Sequence, residues 1–261
     1  MSDPKPLFVV LGVGNGQGTG GATARLFAKQ GYRVALMGRD PERLQKFANE
    51  LNASGGEAAA FPAASYGFED VLAAFALILT YAWPSGGPSE LRVALHNAGY
   101  AGPRKGLMDV TAAQLHDLAE VNVHAAFAFA RASIEAFRTN ALDARGKRGT
   151  LLFTGATGSL RGNTTTAAFS AGKFALRSLS QSLNKEFGKE NIHVAHVVCD
   201  GPIMTDLQLE RLPKEFTKDW GTNADIRLSA ASIADAYWYL TNQDRSAWTW
   251  ELDVRSAHEK W

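Results

Sequence analysis

Short apolar runs alternate with segments of helical periodicity along nearly the whole chain. Continuous apolar runs rich in β-branched residues predict buried strands at residues 7–13, 33–38, 58–63, 91–99, 149–156, 193–201 and 248–254. Helical patterns lie between them, near residues 21–30, 41–53, 67–82, 111–138, 168–189 and 230–242. Apolar strands separated by helices are typical of a parallel sheet covered on both faces. The pattern therefore predicts a three-layer, doubly wound α/β fold of the Rossmann type.

No linker or internal repeat divides the sequence, so we predict one domain over residues 1–261. A chain of this length with 46% hydrophobic residues suits a domain with a sizeable core. The longest polar segment, near residues 206–228, precedes the last helical pattern. Long loops in compact α/β domains often cover a site, so we expect this segment to lie over the substrate.

Charge and cysteine content narrow the possible partners and compartment. The formal net charge of +1 gives no electrostatic reason to expect nucleic acid or an anionic membrane as a partner. The single cysteine, Cys199, excludes an intrachain disulfide framework and predicts a cytoplasmic location. No apolar run approaches the roughly 20 residues of a membrane span. The 6 histidines do not pair with acids or cysteine at the spacing of a metal site, so we predict no metal.

The first predicted strand ends in a glycine-rich turn, LGVGNGQGTGGATARLFA, which runs into a helical pattern. Glycines at such a junction let backbone N–H groups approach a pyrophosphate at the N-terminus of the helix. A second strand about 20 residues further on completes the context of a dinucleotide-binding turn. Counting back from the helix favours Gly14, Gly18 and Gly20, with Thr19 among them. Further glycines at positions 12, 16 and 21 leave the register open.

The end of the second predicted strand, LMGRD, bears on the choice of cofactor. A carboxylate there would hold the ribose 2′-hydroxyl of NAD and repel a 2′-phosphate. Gly38 occupies that position and Arg39 follows it, and an arginine fork matches a phosphate well. The sequence therefore favours NADP(H) over NAD(H). Alternatively, Arg39 is solvated and only flanks the helix that begins at DPER.

Three further segments carry a resemblance to a known family: HNAG at residues 96–99, Asn122 in LAEVNVHAAF, and AAFSAGK, which ends at Lys173. With them the chain resembles the short-chain dehydrogenase/reductase family over essentially its whole length. The resemblance implies that Asn97, Ala98 and Gly99 support the sheet and lie beside the cofactor. It also implies that Asn122 helps to hold a water in a proton relay and that Lys173 binds the nicotinamide ribose.

The resemblance extends to the nicotinamide end of the cofactor and to assembly. Ile203 and Thr205, in DGPIMTD, lie at the spacing of residues that contact the nicotinamide end. The family usually pairs two helices across a two-fold axis, here the patterns at 111–138 and 168–189. The apolar stretch HAAFAFARASIEAF suits such a face, although burial against the sheet explains part of it equally well. We predict a homodimer or homotetramer.

Several positions depart from the family pattern. The catalytic tyrosine, four residues before the lysine, is Phe169, and the serine thirteen residues before the tyrosine is Ala156. Val13 replaces a threonine, Ala64 lies where an aspartate should touch the adenine, and Asp200 replaces a proline. In the family, the tyrosine gives the proton and the serine hydrogen-bonds the substrate oxygen. A proton-transferring side chain raises the reaction rate roughly 10²–10⁴-fold, and one hydrogen-bond donor to the substrate oxygen raises it roughly 10²–10³-fold. The cofactor scaffold is kept, whereas the proton-transfer pair is absent.

Four residues near these positions are possible substitutes for the missing hydroxyls. Thr157 adjoins the serine position, Tyr100 follows HNAG, and Asp200 ends the sixth predicted strand. Ser170 is next to Phe169 but points about 100° away on a helix. Each also has a simpler interpretation, as a turn residue, a packing residue or a cap. We include Thr157 among the candidate catalytic residues.

Three functional hypotheses follow. The first is an NADP(H)-dependent oxidoreductase acting on a carbonyl or alcohol of unknown identity through a non-standard site. The second is a catalytically lapsed dinucleotide-binding or interaction protein, because a fold alone does not establish function. The third is a partner subunit that stabilises an active relative.

Overall fold

The computed structural model describes residues 3–100, 102, 104–211, 214–219, 221 and 223–259. Within them, the strands are β1 (Lys5–Leu11), β2 (Arg33–Gly38), β3 (Glu57–Pro62), β4 (Ser89–His96), β5 (Gly149–Thr154), β6 (Ile192–Asp200) and β7 (Glu251–Arg255). They form one sheet in the order β3-β2-β1-β4-β5-β6-β7, in which all neighbours pair in parallel. The strand order reverses between β1 and β4, so a crevice opens there at the carboxyl ends of the strands.

Helices cover both faces of the sheet. They are α1 (Thr19–Lys29), α2 (Pro41–Ala53), α3 (Phe68–Leu79), α4 (Ala112–Ala119), α5 (Ala125–Arg138), α6 (Ala167–Phe187), α7 (Asp206–Arg211), α8 (Lys214–Thr217) and α9 (Ala230–Asn242). Helices α3, α5 and α6 pack in a core on one face, and α1, α2 and α9 pack in a second core on the other. The structure confirms the predicted three-layer α/β fold. Among the described residues, no helix has the length and apolar character needed to cross a membrane.

The central strands are apolar throughout because each of their faces meets a core. Leu7, Val9 and Leu11 of β1 point to the core beneath α3, α5 and α6. Phe8 and Val10 point to the other core, where the ring of Phe8 stacks on Phe27 of α1 with centroids 4.2 Å apart. Burial on both sides therefore explains why the sequence shows no alternation of polar and apolar residues in this strand.

Capping residues define two of the predicted helix starts. The carboxylate of Asp40 accepts a hydrogen bond from the backbone N–H of Arg43 at 3.0 Å, and Pro41 is the first residue of α2. Thr111 and Gln114 form a reciprocal capping box at the start of α4. The pattern DPER thus begins a helix as predicted.

The structure corrects three predicted segments. The helix predicted over 111–138 contains a π-helical turn, Glu120–His124, between α4 and α5. The fourth strand ends at His96 rather than at residue 99, because the side chain of Asn97 hydrogen-bonds the backbone beside β1. The loop predicted at 206–228 contains α7, α8 and a 3₁₀ turn at Ala224–Ile226, and residues 212, 213, 220 and 222 lie outside the described residues.

Candidate active site

The glycine-rich turn lies at the crevice, between β1 and α1. Gly14 has a left-handed backbone with φ of 57°, and Gly18 is the N-cap of α1. A Cβ on Gly20 would lie 2.3 Å from the carbonyl oxygen of Gly12, so only glycine fits there. A Cβ on Gly18 would meet nothing closer than the methyl group of Thr205, at 3.6 Å. The turn therefore leaves space for a ligand at Gly18 and none at Gly20.

Packing also constrains Gly12 and Gly21, two of the glycines that left the register open. A Cβ on Gly12 would lie 2.5 Å from the backbone nitrogen of Ala98, and one on Gly21 would lie 2.0 Å from the carbonyl oxygen of Gly16. Both glycines are therefore needed for packing, although the sequence alone could not rank them above their neighbours. Thr19 opens α1, and its buried hydroxyl has no hydrogen-bond partner among the described residues. A phosphate oxygen at the N-terminus of the helix would satisfy it.

Arg39 follows the last residue of β2, at the same edge of the sheet. Its exposed guanidinium lies over the ring of Tyr66, 4.6 Å from the ring centroid, and burial raises the pKa of Tyr66. Arg39 directly precedes Asp40, the N-cap of α2, and the Nε of Arg43 lies 3.0 Å from the carboxylate of Asp40. The guanidinium of Arg39 is therefore exposed at the carboxyl end of β2.

A hydrogen-bonded network joins the ends of the central strands. The Nδ2 of Asn97 donates to the carbonyl oxygen of Gly12 at 2.6 Å. The Oδ1 of Asn97 accepts from the hydroxyl of Thr154 at 2.8 Å, and that hydroxyl lies 2.7 Å from the hydroxyl of Tyr237 on α9. The predicted supporting role of Asn97 thus has a structural basis, since its side chain ties β1, β4 and β5 together.

Lys173 and Asn122 converge on Gly99. A Cβ on Gly99 would lie 3.5 Å from the Nζ of Lys173 and 3.9 Å from the Oδ1 of Asn122. The Nζ donates to the carbonyl oxygen of Thr154 at 2.9 Å, and burial lowers the pKa of Lys173 to about 8. The structure therefore brings together the lysine and the asparagine that lie 51 positions apart in the numbered sequence.

The π-helical turn sets the position of Asn122. Its Nδ2 donates to the carbonyl oxygens of Tyr100 and Leu118, at 3.0 and 3.1 Å. Its buried Oδ1 has no hydrogen-bond partner among the described residues. A buried acceptor without a partner is costly, and a water or a ligand hydroxyl in the site would satisfy it. Turns of this kind often mark functional sites.

The two positions of the proton-transfer pair carry no hydroxyl. The half-buried ring of Phe169 packs on Gly158, where a Cβ would lie 2.8 Å from the ring. The backbone N–H of Ala156 donates to the hydroxyl of Ser159 at 3.2 Å. Neither Phe169 nor Ala156 has a side-chain group that can donate a proton or hydrogen-bond a substrate oxygen.

The possible substitutes differ in their surroundings. The hydroxyl of Thr157 donates to a carboxylate oxygen of Asp200, so the two candidates form one pair. The hydroxyl of Ser170 lies 3.4 Å from that of Thr166 and 3.5 Å from the carbonyl oxygen of Arg161. Tyr100 packs against the core beneath α3, α5 and α6. The Thr157–Asp200 contact could not be predicted from the sequence, because the two residues are 43 positions apart.

The segment after β6 reaches back to the glycine-rich turn. Ile203 forms a parallel bridge with Leu228, which joins the two ends of the predicted loop. The Nε2 of Gln17 donates to the carboxylate of Asp206 at 2.5 Å, and the backbone N–H of Asp206 donates to the Oε1 of Gln17 at 3.0 Å. The first residue of α7 is therefore held against the turn, a contact that sequence reasoning missed.

Two buried titratable side chains near the ends of β4 and β6 have pKa values shifted by burial. His96 is buried between the rings of Phe129 and Phe153, and burial lowers its pKa to about 3. Burial raises the pKa of Cys199 to about 12. In the described part of the chain, no group of three or more histidine, cysteine or acidic residues is arranged to hold a metal ion.

Comparison with known proteins identifies related chains. The sequence model of the short chain dehydrogenase family matches residues 8–215. Curated relatives include the uncharacterized oxidoreductase YciK of Escherichia coli (strain K12), 25% identical over 84% of this chain and 82% of its own. Cyclohexanol dehydrogenase of Acinetobacter sp. (strain SE19) is 29% identical over 80% of this chain and 78% of its own.

Solved structures share the fold. A short-chain dehydrogenase from Rhodopseudomonas palustris has a TM-score of 0.74 at 29% identity, covering 96% of this chain and 98% of its own. A metagenomic short-chain oxidoreductase in complex with NADP has a TM-score of 0.74 at 23% identity, covering 98% of both chains.

Proposed function

The chain belongs to the short-chain dehydrogenase family of oxidoreductases, and we propose that it interconverts an alcohol and a carbonyl compound with NADP(H) through a non-standard proton-transfer site. The observation that carries this proposal is the convergence of Lys173 and Asn122 on Gly99, beside the glycine-rich turn. A buried amine and an unpartnered amide oxygen suit the hydroxyls of a bound ribose and a water.

The residues present fit a nicotinamide dinucleotide along the whole crevice. The N-terminus of α1, with Gly18 open and the hydroxyl of Thr19 unpartnered among the described residues, suits a pyrophosphate. Arg39 suits a 2′-phosphate, and Gly38 places no carboxylate against it. When bound, the nicotinamide supplies or accepts the hydride of the reaction. The side chains of Lys173 and Asn122 would orient the cofactor's ribose and a water at the end of the crevice.

An alcohol or a ketone is the substrate class that the relatives support. The cyclohexanol dehydrogenase, at 29% identity, acts on a secondary alcohol by its name. The positions of Phe169 and Ala156 make this side of the site more apolar than a tyrosine and serine would. We therefore propose a substrate whose reacting carbon carries apolar substituents, since these rest on the ring and the methyl group.

A second candidate function has its own support. Phe169 and Ala156 remove both hydroxyls of the proton-transfer pair, which favours a chain that binds a dinucleotide without turning over a substrate. Lys173 and Asn122 would then serve binding alone. The two candidates make different predictions for turnover but the same prediction for cofactor binding.

Turnover of the wild-type protein separates the candidates. Cyclic, linear and aromatic alcohols are offered with NADP⁺, and the matching carbonyl compounds with NADPH, while the absorbance of the reduced nicotinamide is followed. The proposal expects turnover of at least one pair, with a loss of roughly 10²-fold or more in Lys173→Met, which keeps the length of the side chain. Arg43→Gln, which lies outside the crevice, is the matched control. Cofactor binding without any turnover supports the second candidate.

A further inference from the structure

A polar chain of side chains runs from the turn after β5 to β7. The hydroxyl of Thr157 donates to the Oδ1 of Asp200, and the Oδ2 of Asp200 lies 2.5 Å from the Nη1 of Arg255. Arg255 also donates to both carboxylate oxygens of Asp253, at 2.8 and 2.9 Å. The side chains of Asp200 and Arg255 are only 4% and 12% exposed. Apolar residues of similar size often stabilise a fold at least as well as such an ion pair, so stability alone does not account for it.

Thr157, the first side chain of this series, lies near Ala156 and Phe169, the two positions that lack the family's hydroxyls. Thr157 stands between Ala156 and Gly158, and Gly158 contacts the ring of Phe169. Thr157 is half-buried, whereas Asp200, the last residue of β6, is buried. Of the two side chains, Thr157 is therefore the one that a molecule in the crevice can reach, and the carboxylate of Asp200 lies behind it.

The hydroxyl of Thr157 can act toward a bound molecule only as a hydrogen-bond acceptor. A threonine hydroxyl has one proton and two lone pairs, and here the proton points to Asp200. Asp200 is paired with a guanidinium and accepts that proton as a carboxylate. Toward any other molecule, the oxygen of Thr157 can only accept a hydrogen bond. A carbonyl substrate needs a donor at this point, whereas an alcohol needs an acceptor, so the arrangement matches an alcohol.

We propose that Thr157 and Asp200 act together as the base that removes the hydroxyl proton of an alcohol substrate. Thr157 is the catalytic residue and Asp200 the positioning residue that receives the relayed proton. The inference rests on the proposed function and adds to it the proton acceptor and the form of the substrate that the resting site binds.

The proposed step balances in protons and electrons. The O–H bond of the alcohol breaks, its proton bonds to the Oγ1 of Thr157, and the hydroxyl proton of Thr157 passes to the Oδ1 of Asp200. The hydrogen on the carbinol carbon would leave with its electron pair as hydride, which NADP⁺ would accept as the oxidant, and the carbon–oxygen double bond would form. Asp200 then releases its proton to solvent. During the step Arg255 keeps Asp253 as a counter-charge, so protonation of Asp200 leaves no buried guanidinium unpaired.

The first test measures the protonation state of Asp200 and its contact with Thr157, without any substrate. Protein labelled in its aspartate carboxyl carbons is studied by NMR at neutral pH, and Asp200→Asn assigns the Asp200 signal. The proposal expects an ionised carboxyl group, a clear change of its signal in Thr157→Val, and recovery of that signal in Thr157→Ser. A protonated Asp200, or a signal that Thr157→Val leaves unchanged, would overturn the proposal.

The second test measures the oxidation of the alcohol that the wild-type protein turns over best. Thr157→Val and Asp200→Asn should each lower kcat by roughly 10²-fold or more, with the dissociation constant for NADP⁺ changed by less than about threefold, and Thr157→Ser should restore activity. Thr139→Val, an exposed threonine at the end of α5, is the matched control.

The possible failures are distinguishable. Turnover in the wild type that persists in Thr157→Val overturns this inference alone. The absence of any turnover in the wild type overturns the proposed function and the inference with it. A loss of NADP⁺ affinity equal to the loss of kcat would mean that the pair only holds the structure, which also overturns the inference.

Discussion

Substitutions at Gly18 and Gly20 test how the glycine-rich turn is used, because the two residues face different surroundings. A Cβ on Gly20 would lie 2.3 Å from the oxygen of Gly12 and 2.8 Å from the Nδ2 of Asn97. It would fall about 1 Å short of an ordinary contact of about 3.5 Å. Overpacking costs about 1–3 kcal/mol, and displacing the buried Asn97–Gly12 hydrogen bond costs a further 1–3 kcal/mol or so. Gly20→Ala should therefore lower the free energy of unfolding by about 2–6 kcal/mol.

Gly18→Val should leave the stability of the fold nearly unchanged and weaken binding of the dinucleotide. The backbone of Gly18 has φ of −82°, which valine adopts, and its Cβ would meet only the methyl group of Thr205 at 3.6 Å. The free energy of unfolding should change by less than about 1 kcal/mol. The valine methyl groups would fill the space where the backbone meets the pyrophosphate. Losing two hydrogen bonds to a charged group, at about 1.5 kcal/mol each, corresponds to affinity weakened about 150-fold.

Urea unfolding and fluorescence titration with NADPH measure the two effects on the same preparations. Gly18→Ala provides a smaller step at the same site and should weaken binding less than Gly18→Val. A folded Gly18→Val protein that binds NADPH as tightly as the wild type would refute the assignment of the pyrophosphate site. A Gly20→Ala protein as stable as the wild type would refute the packing argument.

Three other predictions concern activity, pH and assembly. Phe169→Tyr combined with Ala156→Ser should create or raise NADPH-dependent carbonyl reduction by roughly 10²-fold or more, beyond the sum of the single variants, and an inert double variant that still binds NADPH would contradict this. Burial lowers the pKa of His96 from 6.5 to about 3, and those of His193 and His196 to about 4. Below pH 6.5 the unfolded chain therefore binds more protons than the folded one, and the free energy of unfolding should fall as the pH drops from about 6.5 to about 4. Equal urea midpoints at pH 7 and pH 5 would contradict that expectation. Light scattering at micromolar concentration should show a dimer or tetramer built on the helices of residues 111–138 and 168–189, and a monomer would contradict this prediction.

Local sequence patterns predicted most of the fold, because the signals are themselves local. The strand at 33–38 and the helix at 41–53 have the predicted bounds, since a buried apolar run ends at Gly38 and the Asp40–Pro41 pair begins a helix. The π-helical turn at Asn122 was not predicted, because one extra residue barely disturbs the apolar period of so long a helix. The fourth strand was predicted too long because its small residues continue past the point where Asn97 diverts the chain.

Some residues of the candidate site could be predicted from the sequence, and others could not. The resemblance pointed to Lys173 and Asn122, and the structure places both beside Gly99. The contacts between distant segments could not be predicted, because no spacing rule links residues that the fold alone brings together. Gln17 and Asp206 are 189 positions apart, and the Thr157–Asp200 pair joins the turn after β5 to the last residue of β6. The chemistry of the vacant proton-transfer site depends on such contacts.

The dissociation constants for NADPH and NADH at low salt test whether this crevice binds NADP(H) through Arg39. We expect the wild type to bind NADPH about 10–100-fold more tightly, because a charge-assisted hydrogen bond from Arg39 contributes about 1.5–3 kcal/mol. Arg39→Gln should remove the preference and leave the affinity for NADH unchanged. Arg43 is paired with Asp40 three residues before it, and Arg43→Gln should change neither constant. Equal affinities in the wild type, or no binding of either dinucleotide, would contradict the assignment of Arg39 to the 2′-phosphate.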